Sequence, residues 1–417
     1  MIGALDKLLL VVPSNTYRAQ RFLEAARRLG VQVAIATDSE MRAPDHLGMV
    51  FDRLDFCDAP SAAEELASLA RSYGITHALA VDEGGVEIAA LTNASLTGSG
   101  QGLEGILATR DKAGLRTALS AAEIPQPRWV RLPAACSSDH AALRDIGFPL
   151  VVKPTKGSGS IGVTLARNQN ELARSVEIAR AAGEKMKTPG NEILAEEYID
   201  GDEYAVEGMI IHGAMNVLAI FEKPDPLVGP VFAETIYVTP PRASGPTTEA
   251  IVATVSAVAR ALSLPDGPVH AEVRVGSDGR CVPIDVAARS IGGHCSDALS
   301  FAFSTTLEEL ILANALGQKL SSTDRERQAS GVFMIPVEAR GVLRAVSGVQ
   351  EASRVRFVNG VEVTVPVGTP VRPLPWDNRY LGFIFAKAPG SGAVVAALRE
   401  ARKLLHFEID PDVAVDA

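Results

Sequence analysis

The sequence predicts a mixed fold: an opening α/β part wound around a parallel sheet, then α+β architecture ending in a β-rich tail. Three observations carry this. Leu8-Leu-Leu-Val-Val, a helical stretch closing at Leu29-Gly30, and Val31-Gln-Val-Ala-Ile-Ala read as strand, helix and strand, and glycine at the helix exit completes a βαβ signature. Phe148–Pro154 and Val163–Ala166 flank a glycine-rich stretch, which reads as an antiparallel hairpin. Short apolar runs between Val332 and Ala386 predict a sheet.

Composition narrows the class. The 417 residues are 47% hydrophobic and 22% charged, the balance of a globular protein with length for roughly two to four domains. Forty Lys+Arg stand against 50 Asp+Glu, a net charge of -10, so a general nucleic-acid binder is disfavoured. No apolar stretch approaches the roughly 18 residues of a membrane span, and the opening residues lack the order of a signal peptide. Cys57, Cys136, Cys281 and Cys295 are scattered without CxxC spacing and read as reduced thiols. The expectation is a cytoplasmic enzyme.

Further elements follow in order. A helix over Ala62–Tyr73 exits through Gly74 into the strand Thr76–Val81. Asp82-Glu83 then sits at that strand's carboxyl end, where ligands of open α/β sheets collect. A helix from Asp111-Lys112 to Ala122 is stopped by Ile124-Pro-Gln-Pro127, and residues 191–222 hold apolar runs broken at Gly201 and Gly213. The segment 223–248, rich in Pro and Gly, predicts a long functional loop. A helix over Thr248–Leu262 precedes strands Val269–Val275 and Cys281–Val286, joined by Gly276-Ser-Asp-Gly279. Helices at Thr305–Leu316 and Ala393–Leu405 complete the chain.

Three constellations carry chemistry. In Lys156-Gly-Ser-Gly-Ser-Ile-Gly162, Gly157, Gly159 and Gly162, with Ser158 and Ser160 between them, let backbone N–H groups approach an anion. A strand follows the loop, so neither the Rossmann fingerprint nor the P-loop fits; alone, it is also what a plain hairpin carries. Lys153, after two valines on a buried strand, needs an anionic partner, and Lys112 and Lys156 add charge. On the hairpin of Val269–Val275 and Cys281–Val286, Glu272 and Asp285 come close across the strands. Crowded acids repel unless a cation intervenes, and oxygen ligands suit Mg²⁺; from the hairpin alone, one solvent-exposed acid on each strand is the commoner arrangement. Arg289, four residues past Asp285, suits a phosphoryl group or an oxyanion. Glu196-Glu-Tyr-Ile199 reads either as an edge strand or as a backbone edge for a purine.

Taken in order, Asp111-Lys112, Val151-Val-Lys-Pro with its glycine loop, Glu196–Glu203 and the Glu272/Asp285/Arg289 set resemble an ATP-grasp enzyme across essentially the whole chain. Phe232-Ala-Glu-Thr-Ile-Tyr-Val-Thr-Pro240, Val269-His-Ala-Glu272, Ile284-Asp-Val-Ala-Ala-Arg-Ser-Ile-Gly-Gly293 and Tyr380–Ala386 resemble the L-amino acid ligases that make dipeptides. The resemblance implies an ATP-grasp fold with a pre-ATP-grasp domain (1–107), an ATP-grasp domain (108–318, glycine-loop subdomain about 151–212) and a ligase-type C-terminal domain (319–417). It implies ATP and two Mg²⁺ ions, and small carboxylate and amine substrates; charge and hydropathy oppose a nucleic-acid or membrane partner, and the oligomeric state stays open, a homodimer being the commonest soluble assembly. Lys112 and Lys153 would bind phosphates under the loop of Lys156, Gly157, Ser158, Gly159, Ser160 and Gly162. Glu196 and the backbone of Glu197 and Ile199 would meet adenine, and Glu203 the ribose. Glu272 and Asp285 would hold metal, and Lys153 and Arg289 would act in catalysis. Glu234, Tyr237, Arg289, Ser290, Gly292 and Gly293 would face the substrate.

Three departures stand out. Asp285 replaces the usual Glu, Ala287 stands where many ATP-grasp enzymes carry Asn, and Ile236-Tyr237 replaces Gly-His. The implied reaction activates a carboxylate as an acyl phosphate, which an amine attacks. Ser290, His294 and Cys295 read as pocket lining rather than nucleophiles. A carboxylase-type chemistry lacks its Gln-Val-Glu-His stretch here. A non-catalytic regulator is opposed by the retained Lys153, Glu272, Asp285 and Arg289, and an NAD enzyme by the absent GxGxxG.

Overall fold

The computed structural model describes residues 7–41, 49–133, 141–186, 192–320 and 322–411; the first six residues and Cys136 lie outside them. The chain opens with β1 (Lys7–Val11), α1 (Ala19–Leu29), β2 (Gln32–Ala36), β3 (Met49–Phe51), α2 (Ala59–Tyr73) and β4 (His77–Ala80). The four strands form a parallel sheet in the order β3-β2-β1-β4. Alternation along β1 explains its continuous apolar run. Leu8 and Leu10 pack towards α1, and Leu9 and Val11 towards α2, so both faces are covered. Gly30 and Gly74 close α1 and α2 in left-handed conformation.

Helices α3 (Val86–Thr97), α4 (Leu103–Arg110) and α5 (Lys112–Ala121) follow. The sequence expectations had left 86–110 without helices, because neither α3 nor α4 concentrates its apolar residues into one stripe. Next come β5 (Trp129–Leu132), α6 (Ala141–Ile146), β6 (Leu150–Pro154), β7 (Thr164–Ala166), α7 (Gln169–Lys185) and β8 (Ile193–Glu197). They build an antiparallel sheet, β5-β8-β6-β7. The glycine loop connects β6 to β7, which pair as the predicted hairpin.

The central sheet has eight strands, all antiparallel. Its first members are β9 (Asp202–Ile211), β10 (Ala214–Glu222) and β11 (Ile236–Thr239), with α8 (Gly245–Ala261), β12 (Gly267–Val275), β13 (Cys281–Ala287) and α9 (Leu307–Ala315) beyond them. The segment 223–248 is therefore not all loop. Its β-branched and aromatic run Ile236-Tyr-Val-Thr239 is fully buried and pairs with both neighbours. The chain ends with β14 (Ala329–Pro336), β15 (Gly341–Ser347), α10 (Val349–Ser353), β16 (Val358–Val363), β17 (Pro370–Val371), β18 (Tyr380–Ala388), α11 (Ser391–Leu404) and β19 (His406–Asp410). The order β13-β12-β9-β10-β11-β14-β18-β16 is one continuous sheet, while β17-β15-β19 stand apart. Among the described residues no helix is long and apolar enough to cross a membrane.

Strand alternation decides what faces the site. On β9 and β12, Tyr204, Val206, Val269, Ala271 and Val273 pack under α8. Glu203, Glu207, His270, Glu272 and Arg274 therefore point to the opposite face, where α1, α9 and the opening sheet share one core.

Close packing sets where α4 delivers the chain into α5. A Cβ on Gly105 would lie 1.7 Å from the Leu262 carbonyl oxygen at the end of α8, so Gly105→Ala must push two backbones apart. It should cost about 1–3 kcal/mol in a denaturant titration, whereas Gly100→Ala, with open space around it, should stay within about 0.5 kcal/mol.

Candidate active site

The phosphate end of the site is built at the start of α5. Asp111 caps this helix, its carboxylate accepting the Ala113 N–H. That places Lys112 in the first turn, with its own N–H donating to the Thr155 carbonyl at 2.8 Å. Lys112 Nζ donates to the Gly157 carbonyl at 2.8 Å and lies 3.4 Å from Asp285 Oδ2. The glycine loop needs its composition: Gly157, Gly159, Ser160 and Gly162 all have positive φ. At Gly162 (φ 73°) a Cβ would meet Ala182 Cβ of α7 at 2.5 Å. Its N–H donates to the Pro375 carbonyl, so the C-terminal part holds the loop. Lys156 stays partly exposed, 4.0 Å from Glu87.

Lys153 has the anionic partner its sequence context demanded. Its Nζ is 2.6 Å from Glu196 Oε2, and Arg116 Nε is 2.6 Å from Glu196 Oε1. All three are buried. Burial alone raises the Glu196 carboxyl, but Arg116 and Lys153 outweigh it and hold it at about 2. The expected adenine contact thus falls on a carboxylate already shared by two cations. The backbone edge expected beside it is also partly committed. The Glu197 N–H donates to the Arg128 carbonyl, and the Ile199 carbonyl accepts from Arg274.

The predicted acids meet. Glu272 and Asp285 are direct partners across the β12–β13 ladder. Glu272 also belongs to a cluster that sequence reasoning missed, in which Glu203, Glu234 and Glu272 offer oxygens within 4.8 Å of one another. The Lys223 ammonium fills it, at 2.7, 2.8 and 2.9 Å from the three carboxylates. Burial lowers this lysine's pKa, yet the three acids outweigh it and raise it well above the ordinary value. Glu203, expected at the ribose, gives Oε1 to Lys223 and Oε2 to Arg274; its place is this buried cluster. Tyr237 OH donates to Glu234 and lies 3.4 Å from Glu272.

The segment after β13 is braced from three sides. Arg289 Nε donates to Glu83 Oε2 at 2.6 Å, and Arg110 pairs with the other Glu83 oxygen. Burial raises the Glu83 carboxyl, but Arg289 and then Arg110 outweigh it and hold it at about 2. Arg18 donates to the Ser290 carbonyl and hydroxyl, so Ser290 is a buried anchor. The Ile291 N–H donates to Glu207 at 2.8 Å. Gly293 (φ 61°) carries the turn against Met334, with Gly292 beside Tyr17. Lys223, Arg116, Arg18, Glu207 and Arg274 were not foreseen. The signal that flagged Lys153, a charge inside an apolar strand, also marks Glu207 and Arg274.

The donor set fits a hard divalent cation between Glu272 and Asp285. Both are carboxylates, they are partners across one ladder, and Lys112 ties Asp285 to the glycine loop. The Glu272 contacts with Lys223, Tyr237 and His270 all fall on Oε1.

Buried acids make stability depend on pH in both directions. Glu83 and Glu196, held at about 2, stabilise the fold above the unfolded carboxyl range near 4.5. That contribution is lost as pH falls from about 5 towards 2. Burial pushes Glu207 the other way, up to about 8, so it destabilises the fold progressively as pH rises from the unfolded value to about 8. Glu207→Gln keeps an acceptor for Ile291 without the charge. It should flatten the alkaline side of a Tm profile and gain on the order of a few kcal/mol at pH 9; an unchanged slope would contradict the assignment.

The chain is similar to known proteins along most of its length. Residues 146–298 match an ATP-grasp domain and residues 333–410 match the L-amino acid ligase C-terminal domain 2. The uncharacterized protein y4rH of Sinorhizobium fredii is 26% identical over 410 residues, 97% of this chain and 84% of that one. The alanine–anticapsin ligase of Bacillus subtilis is 27% identical over 230 residues, 51% of this chain and about half (48%) of that relative's length. The crystal structure of L-amino acid ligase from Bacillus licheniformis superposes with a TM-score of 0.82 at 25% identity, covering 97% of this chain and 99% of that one. The chain thus carries an ATP-grasp domain and the C-terminal domain of the L-amino acid ligases, and its relatives and structural neighbours include ATP-grasp ligases.

Proposed function

We propose that this protein joins a small carboxylate to an amine at the expense of ATP, with an amino acid as at least one substrate. The observation that carries the reading is the alignment of Asp285, Lys112 and Gly157: an acid for metal, a cation for phosphate and a loop carbonyl within 3.4 Å of one ammonium. Glu272 and Asp285 would hold a pair of Mg²⁺ ions, which when bound offset charge on the phosphate oxygens. Lys112 and Lys153 would face the transferring phosphoryl group. A substrate carboxylate oxygen attacks the γ-phosphorus and ADP leaves. The glycine loop, held through Gly162 and Pro375, would keep water from the acyl phosphate. An amine then forms the C–N bond as the C–O bond to phosphate breaks, and Arg289 with the Gly292–Gly293 backbone would face the oxyanion. Glu234, fixed by Lys223 and Tyr237, would receive a substrate ammonium. The L-amino acid ligase C-terminal domain favours amide formation over carboxylase-type chemistry. Buried Cys281 and Cys295 suit a reducing compartment such as the cytoplasm.

Release of ADP and phosphate from Mg-ATP, scanned over single amino acids and then pairs with product masses, tests this. Turnover should need two substrates and yield their summed mass less water. Arg289→Met should lower turnover by about 10²–10³-fold, and Glu272→Gln should lower turnover and raise the Mg²⁺ concentration it needs. Turnover indifferent to every carboxylate–amine pair, or intact in Glu272→Gln, would sink the reading.

A further inference from the structure

Arg116 is buried to 1% exposure, a costly place for a guanidinium unless its nitrogens are bonded. Each of the three is. Nε donates to Glu196 Oε1 at 2.6 Å, one terminal nitrogen to the Pro283 carbonyl at 3.2 Å, and the other to the Ile284 carbonyl at 2.7 Å. Those carbonyls sit where the β12–β13 ladder is irregular. Glu272 pairs with Asp285 and Val273 with Pro283, so Ile284 is the extra residue of a bulge. Bulges leave ladder groups unpaired and re-aim neighbouring side chains; here the neighbour is Asp285. The same guanidinium neutralises the carboxylate that holds Lys153, and it lies one turn beyond Lys112 on α5.

We propose that Arg116 is a positioning residue: it locks the Pro283–Ile284 bulge that aims Asp285 and fixes that acid's distance from Lys153 and Lys112. The inference rests on the ligase reading, in which Asp285 holds metal and the lysines hold phosphate. One planar fork joins α5, the glycine-loop sheet through Glu196, and the edge strand β13 of the central sheet. The two sheets are thereby set against each other at the metal–phosphate site. A lysine keeps the charge but cannot bond three acceptors in that plane.

The test is Arg116→Lys, read by Mn²⁺ titration in the presence of ADP, followed by electron paramagnetic resonance, and by the Mg²⁺ half-saturation of turnover. Removing a group that orients a ligand should weaken metal binding about 10–100-fold. The KM for amino-acid substrates should move less than about twofold. A lower Tm with Mn²⁺ affinity and Mg²⁺ half-saturation unchanged would show a merely structural role and overturn the proposal. Should Arg116→Lys fail to fold, the charge-balanced Arg116→Gln/Glu196→Gln variant takes its place, and wild-type metal affinity in it would equally overturn the proposal. A wild-type chain that binds Mn²⁺ but never turns over ATP would sink the ligase reading, while the Mn²⁺ titration still decides the role of Arg116.

Discussion

The site depends on keeping several carboxylates ionised in a place that water barely reaches. An isolated buried carboxylate would protonate, and each acid that stays charged does so because a fixed cation faces it. Glu196 has Lys153 and Arg116, and Glu83 has Arg289 and Arg110. Glu207 shows the alternative: it has one backbone N–H, its other oxygen lacks a partner, and its carboxyl rises to about 8. Such pairs bring little net stability over a hydrophobic replacement, but removing one partner is expensive. The arrangement therefore fixes geometry more than it adds to the free energy of folding.

The same pairing ties the opening α/β domain to the rest. Glu83 lies just past β4, where ligands of open sheets collect, yet what it meets is Arg289 from the far side of the fold. Arg18 reaches the Ser290 hydroxyl and carbonyl from the start of α1. On the same helix, Arg21 and Arg28 pair with Asp297 and Glu309; those arginines are half-exposed, so they add little. The buried contacts are the ones that hold Arg289 at a defined angle. An opening part displaced from this position would take Glu83 and Arg18 with it and leave the 289–293 segment without those two contacts.

How much of this was legible in the sequence depends on sequence distance. The Glu272–Asp285 hairpin could be read because a glycine turn and alternating apolar residues fix its register locally. Lys153 was legible because a lysine after two valines on a buried strand announces a missing partner. The partner could not be named: Arg116 and Glu196 are 80 residues apart, and Arg289 and Glu83 are 206 apart. No local pattern records such contacts. Lys223 was hidden differently, in a Pro- and Gly-rich segment whose lack of period concealed β11. Helices α3 and α4 escaped because their apolar residues surround the axis.

The departure Ile236-Tyr237, where the related ligases carry Gly-His, is two changes of unequal weight. Alternation along β11 sends Ile236 and Val238 into the core under α11, among Phe333, Ile335 and Val394. Tyr237 turns to the other face, towards Phe221 and the acid cluster. The isoleucine is thus a packing choice and cannot touch a substrate. The tyrosine does alter the site. Burial, then Glu234 and Glu272, raise its hydroxyl well above the ordinary value, so it remains a proton-bearing donor throughout the working pH range. An imidazole at this place could gain a proton and add a positive charge beside Glu234; a phenol cannot. Lys223 is the only ammonium between Glu234 and Glu272 among the described residues; burial and Glu272 push the Glu234 carboxyl up, while at Glu272 burial is outweighed by Lys223 and His270, which hold it down. On the proposed reading, a substrate ammonium would meet these carboxylates beside a neutral phenol hydroxyl.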